Sequence, residues 1–188
     1  MNFTQDYFSH NIPFLTEMLK RIPEKKRFLE VGSFEGRSTC WFLQNMDDDG
    51  HIDCIDTWQG SEEHVSLDLT ELRQRFDENV NSVVKPSQHI RAIQKTSFAG
   101  LAMLATAEQE YDFIYIDGSH QAADVLTDGC MAFPMLKKGG VIVFDDYLWG
   151  KELGLLHNPK IAVDAFTNIF AERCHMVGIG YQISLQKI

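Results

Sequence analysis

The sequence predicts an α/β fold in which a mostly parallel seven-stranded sheet has one reversed strand and carries helices on both faces. Short apolar runs alternate with amphipathic stretches along the 188 residues, and such alternation indicates a parallel sheet. The runs at residues 113–116 and 141–144 are wholly apolar, as in strands that are buried on both faces. Residues 175–188 break this rhythm and predict a β-hairpin, whose strands must be antiparallel.

The elements are predicted in chain order as follows. Residues 6–22, within an N-terminal extension over residues 1–26, form a helical segment that Pro13 interrupts. The predicted parallel strands cover residues 27–31, 51–55, 89–94, 112–117 and 140–144. The predicted helices cover residues 38–46, 62–83, 98–108, 121–136 and 160–173. The two hairpin strands are expected to join at Gly178 and Gly180, and residues 1–188 are expected to form one domain.

Charge and cysteine usage exclude several classes of protein. The formal net charge of −10 argues against nucleic-acid binding and against docking on an anionic membrane, because both need clustered Lys and Arg. No apolar run approaches the roughly 18 residues of a membrane span. The four cysteines are far apart, which favours buried reduced thiols in a cytoplasmic protein over a zinc site or a disulfide framework. They are Cys40, Cys54, Cys130 and Cys174.

A glycine-rich turn follows the first predicted strand, in residues 28–38 (Phe-Leu-Glu-Val-Gly-Ser-Phe-Glu-Gly-Arg-Ser). The strand ends near Glu30, and Gly32 and Gly36 then precede a helix. Glycine lets the backbone come close to a ligand because there is no Cβ in the way. The spacing differs from the Gly-x-Gly-x-x-Gly of nicotinamide and flavin binders. An acidic residue before Gly-x-x-x-Gly is typical of loops that cradle S-adenosylmethionine.

Polar residues after the second and third strands are candidates for contacts with an adenosine group, because ligands of open parallel sheets bind outside the carboxyl ends of the strands. The Asp56 carboxylate can accept hydrogen bonds from both ribose hydroxyls, or it can cap a loop. Thr57 and Trp58 follow it, and the Trp58 ring can lie against adenine or belong to the core or a lid. Ser97 can contact adenine or serve as a helix N-cap.

A second group of polar residues follows the fourth and fifth strands. These strands should be neighbours about 4.8 Å apart, so Asp117 would converge with Asp145 and Asp146. Three clustered carboxylates suit Mg²⁺, although one Asp can instead cap the next segment while another is solvated. His120 is a candidate base for a substrate hydroxyl. The nearby carboxylates favour a protonated imidazole, and a bound cation would reverse that preference.

In combination these motifs resemble the class I S-adenosylmethionine-dependent methyltransferases, and especially the subfamily of macrolide sugar O-methyltransferases and relatives of cephalosporin-biosynthesis proteins. The resemblance is carried by residues 6–13, 28–38, 55–60, 116–120 and 137–147, which together span nearly the whole chain. It implies a Rossmann-like methyltransferase fold with S-adenosylmethionine as cofactor. The chain is shorter than the sugar O-methyltransferases, which leaves its acceptor and its assembly open, including a homo-oligomer.

The resemblance also implies roles for individual residues. Those expected to line the methionine end and the ribose of the cofactor are Glu30, Gly32, Ser33, Gly36 and Ser38, with Asp56 on the ribose hydroxyls. The residues that match the Mg²⁺ ligands of the sugar O-methyltransferases are Asp117, Asp145 and Asp146, and Asp117 is also a candidate cofactor contact. His120 matches the proposed base.

We therefore expect an O-methyltransferase that acts on a small-molecule hydroxyl, of a sugar or a natural product, with Mg²⁺ and His120. The alternative is an S-adenosylmethionine-binding protein without transferase activity, as a regulatory or partner subunit. A nicotinamide-dependent oxidoreductase is disfavoured because the Gly-x-Gly-x-x-Gly motif is absent. Residues 62–84 and 147–159 are the expected walls of an acceptor pocket, and the second segment could equally be a lid or a dimer contact.

Overall fold

The computed structural model of the protein describes residues 1–61, 67–150 and 152–188. Seven strands form one sheet in the order β3-β2-β1-β4-β5-β7-β6. The strands are β1 (Arg27–Val31), β2 (His51–Asp56), β3 (His89–Gln94), β4 (Tyr111–Ile116), β5 (Leu136–Phe144), β6 (Cys174–Ile179) and β7 (Ile183–Lys187). The first five are parallel, and β7 is antiparallel to both β5 and β6. The predicted sheet with one reversed strand is therefore confirmed.

The α-helices lie between the strands, as predicted, with shorter bounds in several places. They are α1 (Ile12–Leu19), α2 (Arg37–Asn45), α3 (Leu72–Asn81), α4 (Ser97–Thr106), α5 (Ala122–Ala132) and α6 (Lys160–Ile169). In α1, Pro13 lies in the first turn, where its missing N–H costs nothing, so the proline begins the helix instead of interrupting it. A 3₁₀ turn over Ser9–Asn11 precedes α1.

Several helices are shorter than predicted, among them the helix expected over residues 160–173, which ends at Ile169. The helix expected over residues 62–83 begins only at Leu72; residues 62–66 lie outside the described residues, and residues 67–71 are not helical. Asp68 accepts hydrogen bonds from the amide and the hydroxyl of Thr70, a turn that competes with helix formation. After α5 the chain forms a 3₁₀ turn over Phe133–Met135, because Pro134 cannot continue an α-helix, and β5 begins four residues earlier than predicted.

The C-terminal hairpin turns later than predicted. Gly178 lies inside β6, where the register with β7 shifts. The amide of Gly180 donates to the carbonyl of Gln182 at 2.9 Å, so the turn consists of residues 180–182. Because β7 is antiparallel to β5, with Ile183 paired to Phe144, this turn lies at the carboxyl end of β5.

Two apolar clusters cover the two faces of the sheet. One packs α4, α5 and α6 on the sheet through residues such as Leu104, Val125 and Phe166. The other packs α1, α2 and α3 through residues such as Leu15 and Phe42. Burial of each such side chain contributes about 1.5–3 kcal/mol to stability. Because the helices cover both faces of the sheet, its carboxyl edge is the open side. In the part of the chain that the structure describes, every helix is too short or too polar to cross a bilayer.

All four cysteines carry free thiols, in agreement with the absence of a predicted disulfide framework. Cys40, Cys54 and Cys174 are buried, as the sequence suggests. Cys130 is exposed, which corrects the expectation of four buried thiols. It lies in α5 next to Gly129, and it is Gly129, packed against Phe144, that faces the core.

Candidate active site at the carboxyl ends of the strands

A cavity of about 650 Å³ lies at the carboxyl ends of the five parallel strands β1 to β5. Of the thirteen residues predicted from the sequence to bind the cofactor, bind the metal ion or act in catalysis, ten line this cavity: Gly32, Ser33, Ser38, Asp56, Thr57, Ser97, Asp117, His120, Asp145 and Asp146. The other three, Glu30, Gly36 and Trp58, are not among its lining residues. The predicted cofactor residues and the predicted acidic cluster therefore face one common space.

Asp56 holds the loop between β1 and α2. Its Oδ2 accepts hydrogen bonds from the amides of Ser33 and Phe34, both at 2.8 Å. Its Oδ1 accepts from the amide of Trp58 at 2.6 Å. Phe34 has a φ of 45°, so these bonds also stabilise a backbone conformation that non-glycine residues rarely adopt. The carboxylate thus caps the loop, one of the two roles that the sequence allows, and also lies on the cavity wall, where its contact with a ribose stays a prediction.

The two glycines of the turn serve close packing between protein segments. Gly32 has a φ of 87°, and a Cβ on it would lie 2.0 Å from the carbonyl oxygen of Asp117. Its absence lets the loops after β1 and β4 touch, which brings both sides of the cavity together. Gly36 has a φ of 79° and lies against Phe76, away from the cavity.

Glu30 lies beneath the loop, which corrects its predicted place beside the cofactor. Its side chain is fully buried, and Oε2 accepts hydrogen bonds from the Ser33 hydroxyl at 2.8 Å and from the Thr39 hydroxyl. Its other oxygen has no hydrogen-bond partner among the described residues. Burial raises the pKa of Glu30, because a charged carboxylate loses its hydration there. Glu30 therefore supports the loop that lines the cavity.

Trp58 belongs to the core, so its predicted contact with adenine is also corrected. Its indole N–H donates to the carbonyl of Phe34 at 3.0 Å, and its ring lies 4.9 Å from that of Phe76. The guanidinium of Arg73 covers the ring at 4.2 Å. The sequence allows three positions for the Trp58 ring, namely against adenine, in the core or in a lid. These contacts favour the core.

The start of α4 also lines the cavity. Thr96 is the N-cap, since its hydroxyl accepts from the amide of Ala99 at 3.4 Å. Ser97 is the first residue of the helix and lines the cavity together with Thr96. The N-cap role that the sequence allowed for Ser97 thus falls to its neighbour.

The acidic cluster forms because β4 and β5 are paired, with Ile116 opposite Phe144. One oxygen from each of Asp117, Asp145 and Asp146 lies within 4.8 Å of the others. Burial and the neighbouring Asp146 charge raise the pKa of Asp145 to about 6, and the Tyr115 and Gln182 donors oppose that rise. An all-carboxylate donor set suits a hard divalent cation such as Mg²⁺, so these residues fit the predicted ion.

His120 is held by contacts on two sides. Its Nε2 lies 2.8 Å from Oδ2 of Asp146, and its ring stacks on Trp149 with centroids 4.1 Å apart and an interplanar angle of 30°. A carboxylate partner of this kind orients an imidazole ring. Asp146 has a φ of 55°, a left-handed conformation that is uncommon outside glycine and recurs at functional sites.

The N-terminal segment and the hairpin turn complete the cavity, although neither contains a residue that was predicted for the site. Residues 5–8 and His10 line it, and Tyr181 lines it from the turn. The rings of His10 and Tyr181 meet edge to face at 5.7 Å. The available signal was topological, because a hairpin strand antiparallel to β5 must begin at the edge where β5 ends.

The two segments expected to form the walls of an acceptor pocket, residues 62–84 and 147–159, contribute little to the lining of the cavity among the residues that the structure describes. Residues 62–66 lie outside the described residues. Of the described residues between 147 and 159, Trp149 lines the cavity. Tyr147 instead donates to Asp164 of α6 at 2.8 Å, and Leu155 and Leu156 are exposed.

This sheet order, with its reversed strand and a cavity at the strand ends, defines a Rossmann-like methyltransferase fold. A family model described as a methyltransferase domain matches residues 29–147, and the chain belongs to that family.

Individual relatives agree with this assignment. The chain is 25% identical over 169 residues to the Dictyostelium discoideum protein named "Probable caffeoyl-CoA O-methyltransferase 3", covering 85% of this chain and 62% of the relative. The fold matches that of an O-methyltransferase from Bacillus cereus in complex with SAH, with a TM-score of 0.65, 18% identity and coverage of 98% and 84%. It also matches MycE methyltransferase from the mycinamycin biosynthetic pathway in complex with Mg and SAH, with a TM-score of 0.62, 17% identity and coverage of 97% and 51%.

Proposed function

We propose that the chain is an S-adenosylmethionine-dependent O-methyltransferase that acts on a hydroxyl of a small molecule, such as a sugar or another natural product. One observation carries this proposal: a single cavity joins the Asp56 loop to Asp117, His120 and Asp146. The relative named as an O-methyltransferase and the structures in complex with SAH support the same reaction. SAH is the product that S-adenosylmethionine leaves after methyl transfer.

The loop side of the cavity would hold the cofactor. Asp56 fixes the amides of Ser33 and Phe34, and its carboxylate faces the cavity where ribose hydroxyls could donate to it. Ser97 would contact adenine from the start of α4. When bound, S-adenosylmethionine supplies an electrophilic methyl carbon. The chain therefore has to align the acceptor, and alignment can lower the barrier by about 7–11 kcal/mol.

His120 would be the base that takes the proton of the acceptor hydroxyl. The Asp146 carboxylate, 2.8 Å from Nε2, would hold the ring and stabilise the imidazolium that forms when the imidazole accepts the proton. The stacked ring of Trp149 restricts rotation of the imidazole. These contacts are those of an oriented base.

Asp117, Asp145 and Asp146 would hold a divalent cation, Mg²⁺ or a similar ion. When bound, such an ion acts as a Lewis acid and favours ionisation of a hydroxyl. The three carboxylates, whose oxygens lie within 4.8 Å of one another, and the presence of Mg in the MycE structure support this part of the proposal.

Calorimetric titration tests the cofactor first. We expect micromolar binding of S-adenosylmethionine and of SAH, and none of NAD. A screen of hydroxyl acceptors with Mg²⁺ or with EDTA then tests transfer. Binding of SAH without methyl transfer to any acceptor in the screen would support the alternative of a binding protein, and absence of SAH binding would overturn the proposal.

A further inference from the structure

Asp145 is held by four hydrogen-bond donors. Its Oδ2 accepts from Nδ2 of Asn11 at 2.7 Å and from the hydroxyl of Tyr115. Its Oδ1 accepts from Nε2 of Gln182 at 2.7 Å and from the amide of Asp146 at 2.9 Å. Each carboxylate oxygen thus accepts two hydrogen bonds, so neither rotation nor translation of the group is possible without breaking one of them.

The two amide donors come from opposite ends of the chain. Asn11 precedes α1 and is 134 residues from Asp145, whereas Gln182 lies in the hairpin turn. Both amides are almost completely buried, with 3% and 2% of their surfaces exposed. The termini of the chain therefore meet at this one carboxylate.

The Asn11 and Gln182 amides both contact the Asp145 carboxylate and the Tyr115 hydroxyl. Besides Asp145, the Asn11 amide donates to the Tyr115 hydroxyl at 3.3 Å, and the Gln182 amide reaches it at 3.4 Å. Oε1 of Gln182 has no hydrogen-bond partner among the described residues. Burying an amide oxygen without a hydrogen-bond partner costs free energy. We therefore attribute the burial of the Gln182 amide to the hydrogen bond that its N–H group donates to Asp145.

The neighbouring Asp146 is held differently. Its side chain is 19% exposed and contacts His120 across the cavity wall. Asp145 is thus the buried, fixed member of the acidic cluster. Groups that hydrogen-bond to a metal-ligating carboxylate orient it and tune the affinity of the site.

We propose that Asn11 and Gln182 are positioning residues for the divalent-cation site, acting through Asp145. They fix its carboxylate beside those of Asp117 and Asp146, so that an ion bound by these two residues has a third negative charge next to it. This inference rests on the cation site of the proposed function. It assigns a role to the N-terminal segment and the hairpin turn that neither has through cavity lining alone.

The test uses the full chain, with Mn²⁺ alone as the probe and calorimetry as the readout. Asn11→Leu and Gln182→Met remove the donors while nearly preserving side-chain volume. We expect each to raise the Mn²⁺ dissociation constant about 10-fold or more. The SAH dissociation constant should stay within about twofold, because neither residue touches the Asp56 loop.

The matched control is Gln88→Met. Gln88 is also a buried glutamine, and its amide donates to the carbonyl of Leu43 at 2.8 Å, away from the cavity. Its variant should lose thermal stability as Gln182→Met does and keep the wild-type Mn²⁺ affinity. This comparison separates positioning of a ligand from general support of the fold.

Three results would overturn the inference. One is an unchanged Mn²⁺ affinity in the folded Asn11 and Gln182 variants. Another is failure of both variants to fold while Gln88→Met folds, which would make the amides purely structural. The third is a wild-type protein that binds SAH and no Mn²⁺, in which case the methyltransferase proposal would stand without the ion. A wild-type protein that binds neither SAH nor Mn²⁺ would contradict both proposals.

Discussion

His120 shows how much chemistry depends on one oriented side chain. Removal of a positioned base typically slows proton transfer by about 10²–10⁴-fold, so His120→Ala should lower kcat by that factor. The SAH dissociation constant should stay within about twofold, because the base contacts the acceptor side. Methyl-transfer rates and calorimetry on the same preparation measure both quantities.

The matched control for His120 is His157→Ala. His157 is exposed and contacts Gln121 at 2.9 Å, outside the cavity lining. Its variant should keep the wild-type kcat. Weak SAH binding in His120→Ala would give His120 a structural role instead of a chemical one.

Asp56 combines a structural and a binding role, so its loss should affect the cofactor most. Asp56→Ala removes the acceptor of three backbone amides and, in the proposed complex, of the ribose hydroxyls. Hydrogen bonds to charged groups contribute about 1.5–3 kcal/mol, which corresponds to a 10- to 150-fold weaker SAH affinity. Calorimetry measures the SAH affinity, and the control variant is Asp68→Ala, at an exposed turn residue. If Asp56→Ala bound SAH as tightly as wild type, Asp56 would not belong to the cofactor site.

At the scale of elements, the sequence predicted strands better than helix ends. Apolar runs identify buried strands directly, and the buried strand β1 has the predicted bounds. Helix ends depend on local competition that periodicity does not show. Pro134 ended one predicted helix and the Asp68 turn shortened another.

The same distinction holds for the candidate site. Parallel topology alone places Asp117 and Asp145 at one edge, so their convergence was predictable. Whether a side chain at that edge turns to the cavity or to the core depends on packing, which is why Glu30 and Trp58 were misplaced. The contact between Asn11 and Asp145 spans 134 residues, and no local pattern encodes it.

Packing between α4 and α5 leads to a prediction about pH. Asp128 of α5 is 1% exposed, and neither carboxylate oxygen has a hydrogen-bond partner among the described residues. Burial raises its pKa to about 7, although the Ser97 hydroxyl opposes the rise. The folded protein therefore retains a proton that the unfolded chain releases above about pH 4. This group lowers stability progressively as the pH rises from about 4 to 7, and the cost is complete above 7.

Asp128→Asn removes the charge and should abolish this pH dependence. Relative to wild type, the free energy of unfolding of the variant should rise by about 2.7 kcal/mol from pH 5 to pH 8, because the cost in wild type grows by 1.36 kcal/mol per pH unit up to the pKa of about 7. Urea denaturation at both pH values measures the difference. Asp77→Asn, at a partly exposed carboxylate paired with Arg73, is the control and should show little change. Equal pH dependence in wild type and Asp128→Asn would contradict the assignment.

For the whole molecule, the cavity is the place where distant parts of the chain meet. Segments after five strands, the N-terminal segment and the hairpin turn all line it, and the two apolar clusters hold these parts from opposite faces. A ligand in the cavity would contact segments that otherwise separate on unfolding. Ligand binding should therefore be strongly linked to global stability.

This linkage gives a prediction for thermal unfolding. At a free SAH concentration 100 times its dissociation constant, the free energy of unfolding should rise by about 2.7 kcal/mol. For a chain of this size, that corresponds to an increase of about 5–10 °C in Tm. Differential scanning calorimetry measures the shift, with NAD at the same concentration as the control. Because Asp56→Ala weakens binding, that variant should reach the same shift only at a 10- to 150-fold higher SAH concentration. A Tm increase with NAD and none with SAH would contradict both the cofactor assignment and the role of the shared cavity.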